Sequence, residues 1–560
     1  MTPRKKQTMA FNFTPYNDDL LFVPLGGANE IGMNLNLYRY KGKWLIIDLG
    51  IGFAGPHLPG IDIMVPNLDA ILPYKQDIVG MVITHAHEDH VGAVPYLWPE
   101  LGCPVYTTAF TAAVLKAKLA EEGLGGKVKV HEVKAGQSYD LGPFTLEMVP
   151  ITHSIPEMHA VAVRTDKGTV MHTGDWKLDA APQVGGTTDE AVLARYGDEG
   201  VLAMVCDSTN VFVEGESGSE KDVRASLTDI IRECKERVLV TTFSSNIARL
   251  ETIIYAAVGA GRSVALAGKS IWRMVGAAQE AGYLQDVPSF LTDKQGMDCP
   301  RDKVCFIATG CQGESRAALS KVARGEHPVI RLSPNDTVVF SSRTIPGNEL
   351  NVGYLVNKLV GQGIEIINDH NAYVHVSGHP ARMELERMYQ LVRPQIAVPV
   401  HGEPRHIREH AIFARGLQVP LAIEPSNGVV INLTAEKPGI VGRVESGYLG
   451  MDGSSLIDTN SPVIRTRRKL RDDGSCIASI VLKKNGDIAA APKISAPGCL
   501  DDDEDKAFIA TMVEEIIDLL ENRGKRTKSL SELIHNQLRK MIRDELDKKP
   551  VITVHVHVLN

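Results

Sequence analysis

Three imidazoles and two carboxylates fall within six residues in the run Thr84-His85-Ala86-His87-Glu88-Asp89-His90. The run follows the apolar segment Gly80-Met81-Val82-Ile83, so a strand ending there presents several ligand-type groups on one short turn. His85, His87 and Asp89 share one parity, and His90 is left to point elsewhere. Imidazole and carboxylate suit Zn²⁺ or Mn²⁺, whereas a soft site would want thiolates. A polar loop without metal is the plain alternative. With 18 histidines in 560 residues, chance is a poor account of the cluster.

One turn does not complete a metal site, and three more ligand-type residues follow apolar runs further on. His153 comes after Phe144-Thr145-Leu146-Glu147-Met148-Val149-Pro150, and Asp175 closes Met171-His172-Thr173-Gly174-Asp175. His401 ends Ile396-Ala397-Val398-Pro399-Val400 and precedes Gly402-Glu403. Open α/β sheets gather function at such strand ends. A lone histidine there is more often structural; the combination with the first cluster is what carries weight.

The elements that must hold these residues follow from periodicity. Residues from about 20 to 220 read as short apolar strands broken by Gly and Pro turns, with few helices, one over 109–122. That pattern fits a sandwich of two sheets flanked by helices, with the ligand loops on one edge. From about 225 to 375, helices over 222–236, 247–259 and 271–281 alternate with strands at 238–242, 264–267, 304–308 and 338–340. Such alternation implies a parallel sheet with crossover helices. The basic run Arg465-Thr466-Arg467-Arg468-Lys469-Leu470-Arg471 reads as a linker, either a solvated tether or a nucleic-acid contact. Beyond it, extended runs at 477–482 and 551–559 enclose helices at 507–522 and 531–546, a small α+β module, and the acidic run 501–505 reads as a solvated loop.

Bulk properties narrow the class. The chain has room for roughly three to four domains, and 44% hydrophobic with 23% charged residues is ordinary for a soluble protein. No stretch approaches the ~20 apolar residues of a membrane span, and no apolar run follows the basic start Met1-Thr2-Pro3-Arg4-Lys5-Lys6. A cytoplasmic location is expected. The eight cysteines form no CxxC pair, and Cys299, Cys305 and Cys311 are too widely spaced for a zinc knuckle, so they read as reduced, mostly buried thiols. A net charge of −8 argues mildly against a protein coated with nucleic acid. It does not argue against an enzyme that threads one strand through a local groove.

The order HxHxDH, distant His, TGD, distant His resembles the metallo-β-lactamase superfamily. Further phrases narrow the likeness to the β-CASP ribonucleases and, within them, to the bacterial ribonuclease J family. They are Pro24-Leu25-Gly26-Gly27-Ala28-Asn29-Glu30-Ile31-Gly32-Met33-Asn34, Cys206-Asp207-Ser208-Thr209-Asn210 and Phe243-Ser244-Ser245-Asn246. Ser341-Ser342-Arg343-Thr344-Ile345-Pro346-Gly347-Asn348, His375-Val376-Ser377-Gly378-His379 and Pro399-Val400-His401-Gly402-Glu403 complete the set. The similarity runs from about residue 20 to the C-terminus. It implies an α/β chain: a metallo-β-lactamase αββα sandwich, an inserted β-CASP parallel-sheet domain and a small α+β C-terminal domain. The implied boundaries are 1–220 and 379–458 for the sandwich, 221–378 for the insert, 459–471 for the linker and 472–560 for the C-terminal domain.

The same resemblance maps His85, His87 and His153 onto one metal and Asp89, His90 and His401 onto a second, with Asp175 bridging. Two divalent ions per subunit are implied, Zn²⁺ ahead of Mn²⁺. Catalytic parts fall to Asp89, Asp207 and His379. Asp207 would orient a ligand histidine, against the plain reading of a turn-forming Asp before Ser-Thr. His379 would stabilise the scissile phosphate or the leaving oxygen. RNA contacts are implied for Ser244, Ser245 and Asn246 at a helix N-terminus, where N-capping is the commoner use. They are implied also for His375, Val376, Ser377, Gly378 and His379, with Gly378 letting backbone approach a phosphate and His375 equally readable as packed beside the strand. Arg343 is a further candidate for charge near the 5′ end of the RNA. His159 and His172 match no ligand position, and His555 and His557 read as surface or interface residues.

The implied activity is a metal-dependent 5′-to-3′ exonuclease, and endonuclease, acting on single-stranded RNA with a 5′-monophosphate in RNA maturation and decay. The implied partners are RNA, further copies in a homodimer or homotetramer, and an RNA-decay assembly, with no membrane. Three other readings compete: a small-molecule hydrolase sharing only the metal core, a non-catalytic RNA-binding subunit, and a relative that cleaves only pre-mRNA or tRNA 3′ ends. The long insert and the late position of His401 weigh against the first, and the complete ligand set against the second.

Overall fold

In the computed structural model, residues 11–434, 436–522 and 529–559 are described. A first unit comprises residues up to Gly52 together with Val65–Gly447. Its foundation is two sheets packed face to face. One has eight strands, in the order Gly439–Arg443, Val429–Asn432, Leu21–Gly26, Leu35–Tyr40, Lys43–Ile47, Ile78–Val82, Val105–Thr107 and Val130–Glu132. The other has seven: Leu421–Ala422, Ile396–Val400, Ala203–Asp207, Gly168–His172, His159–Thr165, Phe144–Pro150 and Ser138–Leu141. Alternate residues of each strand point inward, so Phe22, Tyr38, Ile47, Phe144, Val161 and Val205 meet in one buried core between the sheets. Helices Glu190–Glu199, Arg382–Val392 and Pro404–Gly416 cover the outer face of the second sheet through Leu193, Leu385, Met388 and Ala414. The expected αββα layering is therefore present.

Strands Ala203–Asp207 and Ile396–Val400 are parallel neighbours, although far apart in sequence. Between them the chain builds a third sheet of six strands, ordered Leu291–Thr292, Ser263–Ala267, Val304–Ala308, Val238–Thr241, Thr337–Phe340 and Glu365–Ile367. Every pairing in it is parallel. A parallel sheet is covered on both faces by its crossover helices, so its strands are apolar throughout; Val304–Ala308 is buried at all five positions. Because the two strands are parallel, the chain leaves at Asp207 and must return to the opposite end, at Ile396. Helix Arg382–Val392 makes that crossing, so the insert itself closes at the Asp207 edge, where Asn210 Nδ2 donates to the His379 carbonyl at 3.0 Å. That closure is what brings the inserted residues near the ligand loops.

A second unit comprises Phe53–Met64 and Tyr448–Asn560. Its central strand Ser475–Leu482 pairs antiparallel with Ile488–Ser495 and parallel with Val551–Val558. Cys476, Ala478, Ile480 and Leu482 are buried under helices Lys506–Glu521 and Leu530–Leu546, and the intervening residues face outward. Strand Ile488–Ser495 was not expected from the sequence. Its turn signal, Asn485-Gly486, is present, but the Ala489-Ala490-Ala491 run behind it has weak strand preference.

The linker expected over 459–471 is corrected by the structure: Pro462–Asp473 is a helix, with Ser461 Oγ capping it by accepting from the Ile464 amide. Its basic residues have partners. Arg467 grips both carboxylate oxygens of Asp452 at 2.8 Å, and Arg468 and Arg471 donate to the carbonyls of His57 and Pro56. Ile464 is buried with Leu58 and Ile61. The run looks like a free tether in sequence because its acceptors come from a segment much earlier in the chain.

All eight cysteines are free and six are buried. No helix among the described residues is long and apolar enough to cross a membrane.

Candidate metal centre

The ligand-type residues stand at one edge of the two packed sheets. Strand Ile78–Val82 runs into His85 and His87, and the short helix Glu88–Val91 carries Asp89 and His90. His153 follows Phe144–Pro150, Asp175 follows Gly168–His172, Asp207 ends Ala203–Asp207, and His401 follows Ile396–Val400. Three groups result, each with ligand atoms within 4.8 Å of one another: His85, His87, His153 and Asp175; Asp89, His90, His401 and Asp175; and Asp175, Asp207 and His379. Asp175 is common to all three.

The hydrogen bonds behind these rings fix which nitrogens are bare. Thr84 Oγ1 gives its only proton to Asp48 Oδ2 at 2.9 Å, so at 3.0 Å from His85 Nδ1 it must accept. His85 Nε2 is then an unprotonated lone pair in the neutral ring. His153 Nδ1 donates to the Gly378 carbonyl at 2.6 Å, which leaves its Nε2 bare in the same way. Those two nitrogens lie 3.0 and 3.1 Å from His87 Nδ1. Lone pairs that converge so closely call for a cation. On the other side, His90 Nε2 is 3.1 Å from Asp175 Oδ2 and 3.6 Å from Asp89 Oδ2, and His401 Nε2 is 3.5 Å from Asp89 Oδ2. Asp175 Oδ1 lies 2.7 Å from His401 Nδ1 without hydrogen-bond geometry, a buried carboxylate oxygen with no donor. A mixed imidazole–carboxylate set, with bare nitrogens on one side and a shared buried carboxylate, fits a divalent cation.

Electrostatics divides the set in two. Burial holds His85 and His153 well below the usual imidazole range and His87 down to about 3, so these rings are neutral ligands. Burial would also lower His90 and His401, but the surrounding carboxylates together outweigh it and raise both: Asp175 first, with Asp89 and Asp48 at His90 and with Asp207 and Asp89 at His401. Asp175 is buried yet held well below the ordinary carboxylate range by His401 and His90.

Two residues of this centre were missed in the sequence reading. Asp48, fully buried, accepts from His90 Nδ1 at 2.7 Å and from the Thr84 amide and hydroxyl, so it sets the tautomer of both His90 and His85. Asn34 Nδ2 lies 3.0 Å from His90 Nε2 and 3.3 Å from His401 Nδ1. Asp48 closes the apolar run Trp44-Leu45-Ile46-Ile47, the same signal that marks Asp175, and could have been found by it. Asp48 and His401 both hold left-handed backbone, φ 65° and 53°, a strained state that recurs at functional sites.

The segment 375–379 is placed beside this centre, with a change of roles. Asp207 Oδ2 binds His379 Nδ1 at 2.7 Å, so the histidine it orients is His379 and not one of the ligand set. Its Oδ1 accepts from the Thr209 amide and hydroxyl. Gly378 packs on His153: a Cβ there would meet His153 Cε1 at 2.7 Å and Nδ1 at 3.0 Å. The glycine admits a ligand histidine, where a phosphate was expected. Ser377 Oγ accepts from the His379 amide and from Asn210 Nδ2, and the Val376 side chain is buried in the insert's core. Gly378→Ala is expected to displace His153 and to weaken the cation at that position about 10–100-fold, read by chelator competition, with Tm little changed.

The remaining candidates sort as follows. Asn246 caps helix Ile247–Gly259 by accepting from the Arg249 amide, and Ser244 and Ser245 lie half-buried in the turn before it. Arg343 is exposed, 3.9 Å from Asp369. His172 bonds the Tyr38 hydroxyl and His159 the Glu157 carbonyl, both in packing positions. His555 and His557 stack on one another, with no third ligand beside them among the described residues.

Known proteins resemble the chain over its whole length. A beta-lactamase superfamily domain matches residues 43–202, and a ribonuclease J beta-CASP domain residues 235–359. A Zn-dependent metallo-hydrolase RNA specificity domain matches 365–416 and a ribonuclease J C-terminal domain 462–559. Ribonuclease J of Sinorhizobium meliloti is 42% identical over 98% of this chain and 99% of its own. That of Mycolicibacterium smegmatis is 37% identical over 95% and 96%, and that of Thermus thermophilus 35% identical over 82% and 81%. Among solved structures, a protein of unknown function from Enterococcus faecalis superposes with TM-score 0.51 at 16% identity, covering 74% of this chain and 100% of that one, a likeness of fold alone. With its metal-ligand edge, its inserted sheet and full-length relatives of one kind, this chain belongs to the ribonuclease J family of metal-dependent ribonucleases.

Proposed function

We propose that the chain degrades single-stranded RNA from the 5′ end, prefers a 5′-monophosphate, and also cuts internally, serving RNA maturation and decay. The observation that carries this reading is the convergence of bare imidazole nitrogens and a shared, buried carboxylate beside a His–Asp pair. In this reading His85, His87 and His153 hold one divalent cation, Asp89, His90 and His401 a second, and Asp175 both. Three imidazoles on one side favour Zn²⁺, with Mn²⁺ as the alternative. When bound, such a pair supplies an activated water and neutralises charge on the phosphodiester.

The chain's own residues do the rest. Asp48 and the Gly378 carbonyl fix ligand tautomers through Nδ1. Asp207 Oδ2 accepts a hydrogen bond from His379 Nδ1–H, and the ring is raised to about 9 because Asp207 and Asp175, with Asp89, outweigh burial. His379 is then a cation at neutral pH, able to donate from Nε2 to the oxygen that leaves as the 3′-hydroxyl, with the phosphate retained on the 5′ side of the product. The helix start at Ser244, Ser245 and Asn246 would receive the 5′ nucleotide beside His379. His375, Val376, Ser377 and Gly378, the other residues implied for RNA contact, are engaged by Arg249, the insert's core, Asn210 and His153. The fold supports a sandwich over 11–52, 65–220 and 379–447, an insert over 221–378, and a second unit made of 53–64 and the chain from 448 on. Family membership supports a homodimer or homotetramer within an RNA-decay assembly, and free thiols support a reducing, cytoplasmic setting.

The test is a 3′-labelled single-stranded RNA bearing either a 5′-monophosphate or a 5′-triphosphate, incubated with Zn²⁺ or Mn²⁺. Mononucleotide release at least about tenfold faster from the monophosphate is expected, a difference of about 1.4 kcal/mol. Equal rates would remove the 5′ preference. Intact RNA with tight binding would return the non-catalytic reading.

A further inference from the structure

Arg249 is fully buried, and its guanidinium reaches five residues from three other parts of the chain. Nε and Nη2 grip both carboxylate oxygens of Glu220 at 2.6 and 3.0 Å. Nη1 donates to the Ser341 and Val374 carbonyls at 2.9 and 3.1 Å and lies 3.3 Å from His375 Nδ1, and Nη2 lies 3.4 Å from the Val376 carbonyl. Ser341 Oγ adds a bond of 2.8 Å to the same Val374 carbonyl. Arginine only donates, so His375 must accept at Nδ1 and carry its proton on Nε2. No isolated loop would hold three successive residues this way; the charged fork does it.

What that grip controls lies next in the chain. Two residues after Val376, the Gly378 carbonyl holds His153 Nδ1, and His379 pairs with Asp207. The other end of the grip is anchored as well. The Glu220 amide donates to Asp179 Oδ2 at 3.1 Å, and Asp179 pairs with buried Lys177 at 2.9 Å, two positions beyond Asp175. The connections therefore close a circuit: Asp175 strand end, Lys177–Asp179, Glu220, Arg249, segment 374–376, Gly378, His153.

We propose that the Glu220–Arg249 pair is a positioning device, which sets the 374–379 segment and through it the orientation of His153 and His379. Neither residue touches the reacting atoms. The inference deepens the ribonuclease reading and rests on it for the kinetic arm of its test. A displacement of about 1 Å at a catalytic group can cost roughly 10²-fold in rate, and loss of the support behind a ligand histidine costs about 10–100-fold in metal affinity. Both effects are expected here, without a matching loss of RNA affinity.

The experiment compares Arg249→Lys and Glu220→Gln with wild type and with Arg262→Lys in the full chain. Arg262 is the control: it too is buried in the insert, donates to the carbonyls of Glu236, Val304 and Cys234, and has no bond to the segment 374–379. Four quantities are read: kcat and KM on 5′-monophosphorylated RNA, Zn²⁺ retention against a chelator, and Tm. The expected result is a fall in kcat of about 10²-fold with KM nearly unchanged, and faster loss of about one Zn²⁺ per chain, for Arg249→Lys and Glu220→Gln. Arg262→Lys should keep both at a similar Tm. Equal losses in all three variants at equal Tm, or wild-type kcat and Zn²⁺ retention in both pair variants, would overturn the proposal. Should Arg249→Lys fail to fold, Glu220→Gln, which keeps the shape and a hydrogen bond to Arg249, decides alone. Zn²⁺ retention needs no substrate, so a wild-type protein inactive on RNA would sink the functional reading while leaving the positioning test intact.

Discussion

Asp175→Ala is expected to lower single-turnover RNA cleavage by roughly 10⁴-fold or more, the scale seen when a group central to a catalytic unit is removed. The same change should leave the purified protein poor in metal. Three groups of ligand atoms share this one carboxylate, so its removal damages every arrangement at once. His90 and His401 would lose the largest of the charges that raise them, so both would shift toward their neutral forms. Neutral rings could still bind a cation, but nothing would join the two halves of the site. Asp175→Asn is the sharper variant, because it keeps the shape and removes only the charge. Its expected loss is nearly as large, and metal content after gel filtration should fall with it. Cleavage by Asp175→Asn within tenfold of wild type would show that Asp175 is not the shared ligand.

That carboxylate was legible from sequence because Asp175 ends an apolar strand in a phrase of recognisable order. The same holds for His85, His87, Asp89, His90, His153 and His401: each is a polar residue whose neighbours declare a buried strand, and strand ends on one edge must converge. The six-stranded insert was legible for a related reason, since its strands are continuous apolar runs separated by helices of amphipathic period. In both cases the information is local.

What was not legible is long-range. Asp48 carries the strand-end signal, but that it holds Thr84 and His90, and through them two ligand tautomers, is visible only once these are folded against it. Arg249 reads as a polar residue in the first turn of a helix, and only tertiary structure reveals that its acceptors come from residues 220, 341 and 374–376. Gly378 carried a signal for close approach, but the sequence could not say that a histidine, and not a phosphate, approaches it. The helix Pro462–Asp473 was misread for the same reason. A dense basic run implies solvent when its partners, the carbonyls at 56 and 57 and the Asp452 carboxylate, cannot be seen. Residue types announce chemistry; partners decide which of several chemistries is used.

Partnership also decides the second large effect, at Asp207. Asp207→Asn is expected to lower kcat by about 10²- to 10³-fold while metal content stays near wild type, because general acid catalysis contributes on that scale and Asp207 touches no ring of the ligand set. The Thr209 amide and hydroxyl both donate to Oδ1 of Asp207. An asparagine there must turn its oxygen to Thr209 and its NH₂ to His379 Nδ1. That ring nitrogen must then accept, and the imidazole is left neutral with its proton on Nε2. It can still donate, but as a far weaker acid. The sign of the pH effect follows. In the native pair the folded pKa is raised to about 9, so the protonated form is present below that value and is lost as pH rises through it. Cations on Asp175 remove part of that carboxylate's help, so the alkaline limb of kcat should lie at or below about 9 and depend mainly on Asp207. In Asp207→Asn, burial prevails and the limb moves to lower pH; in His379→Ala it disappears. A pH profile for Asp207→Asn that keeps the wild-type alkaline limb would show that His379 does not supply the proton.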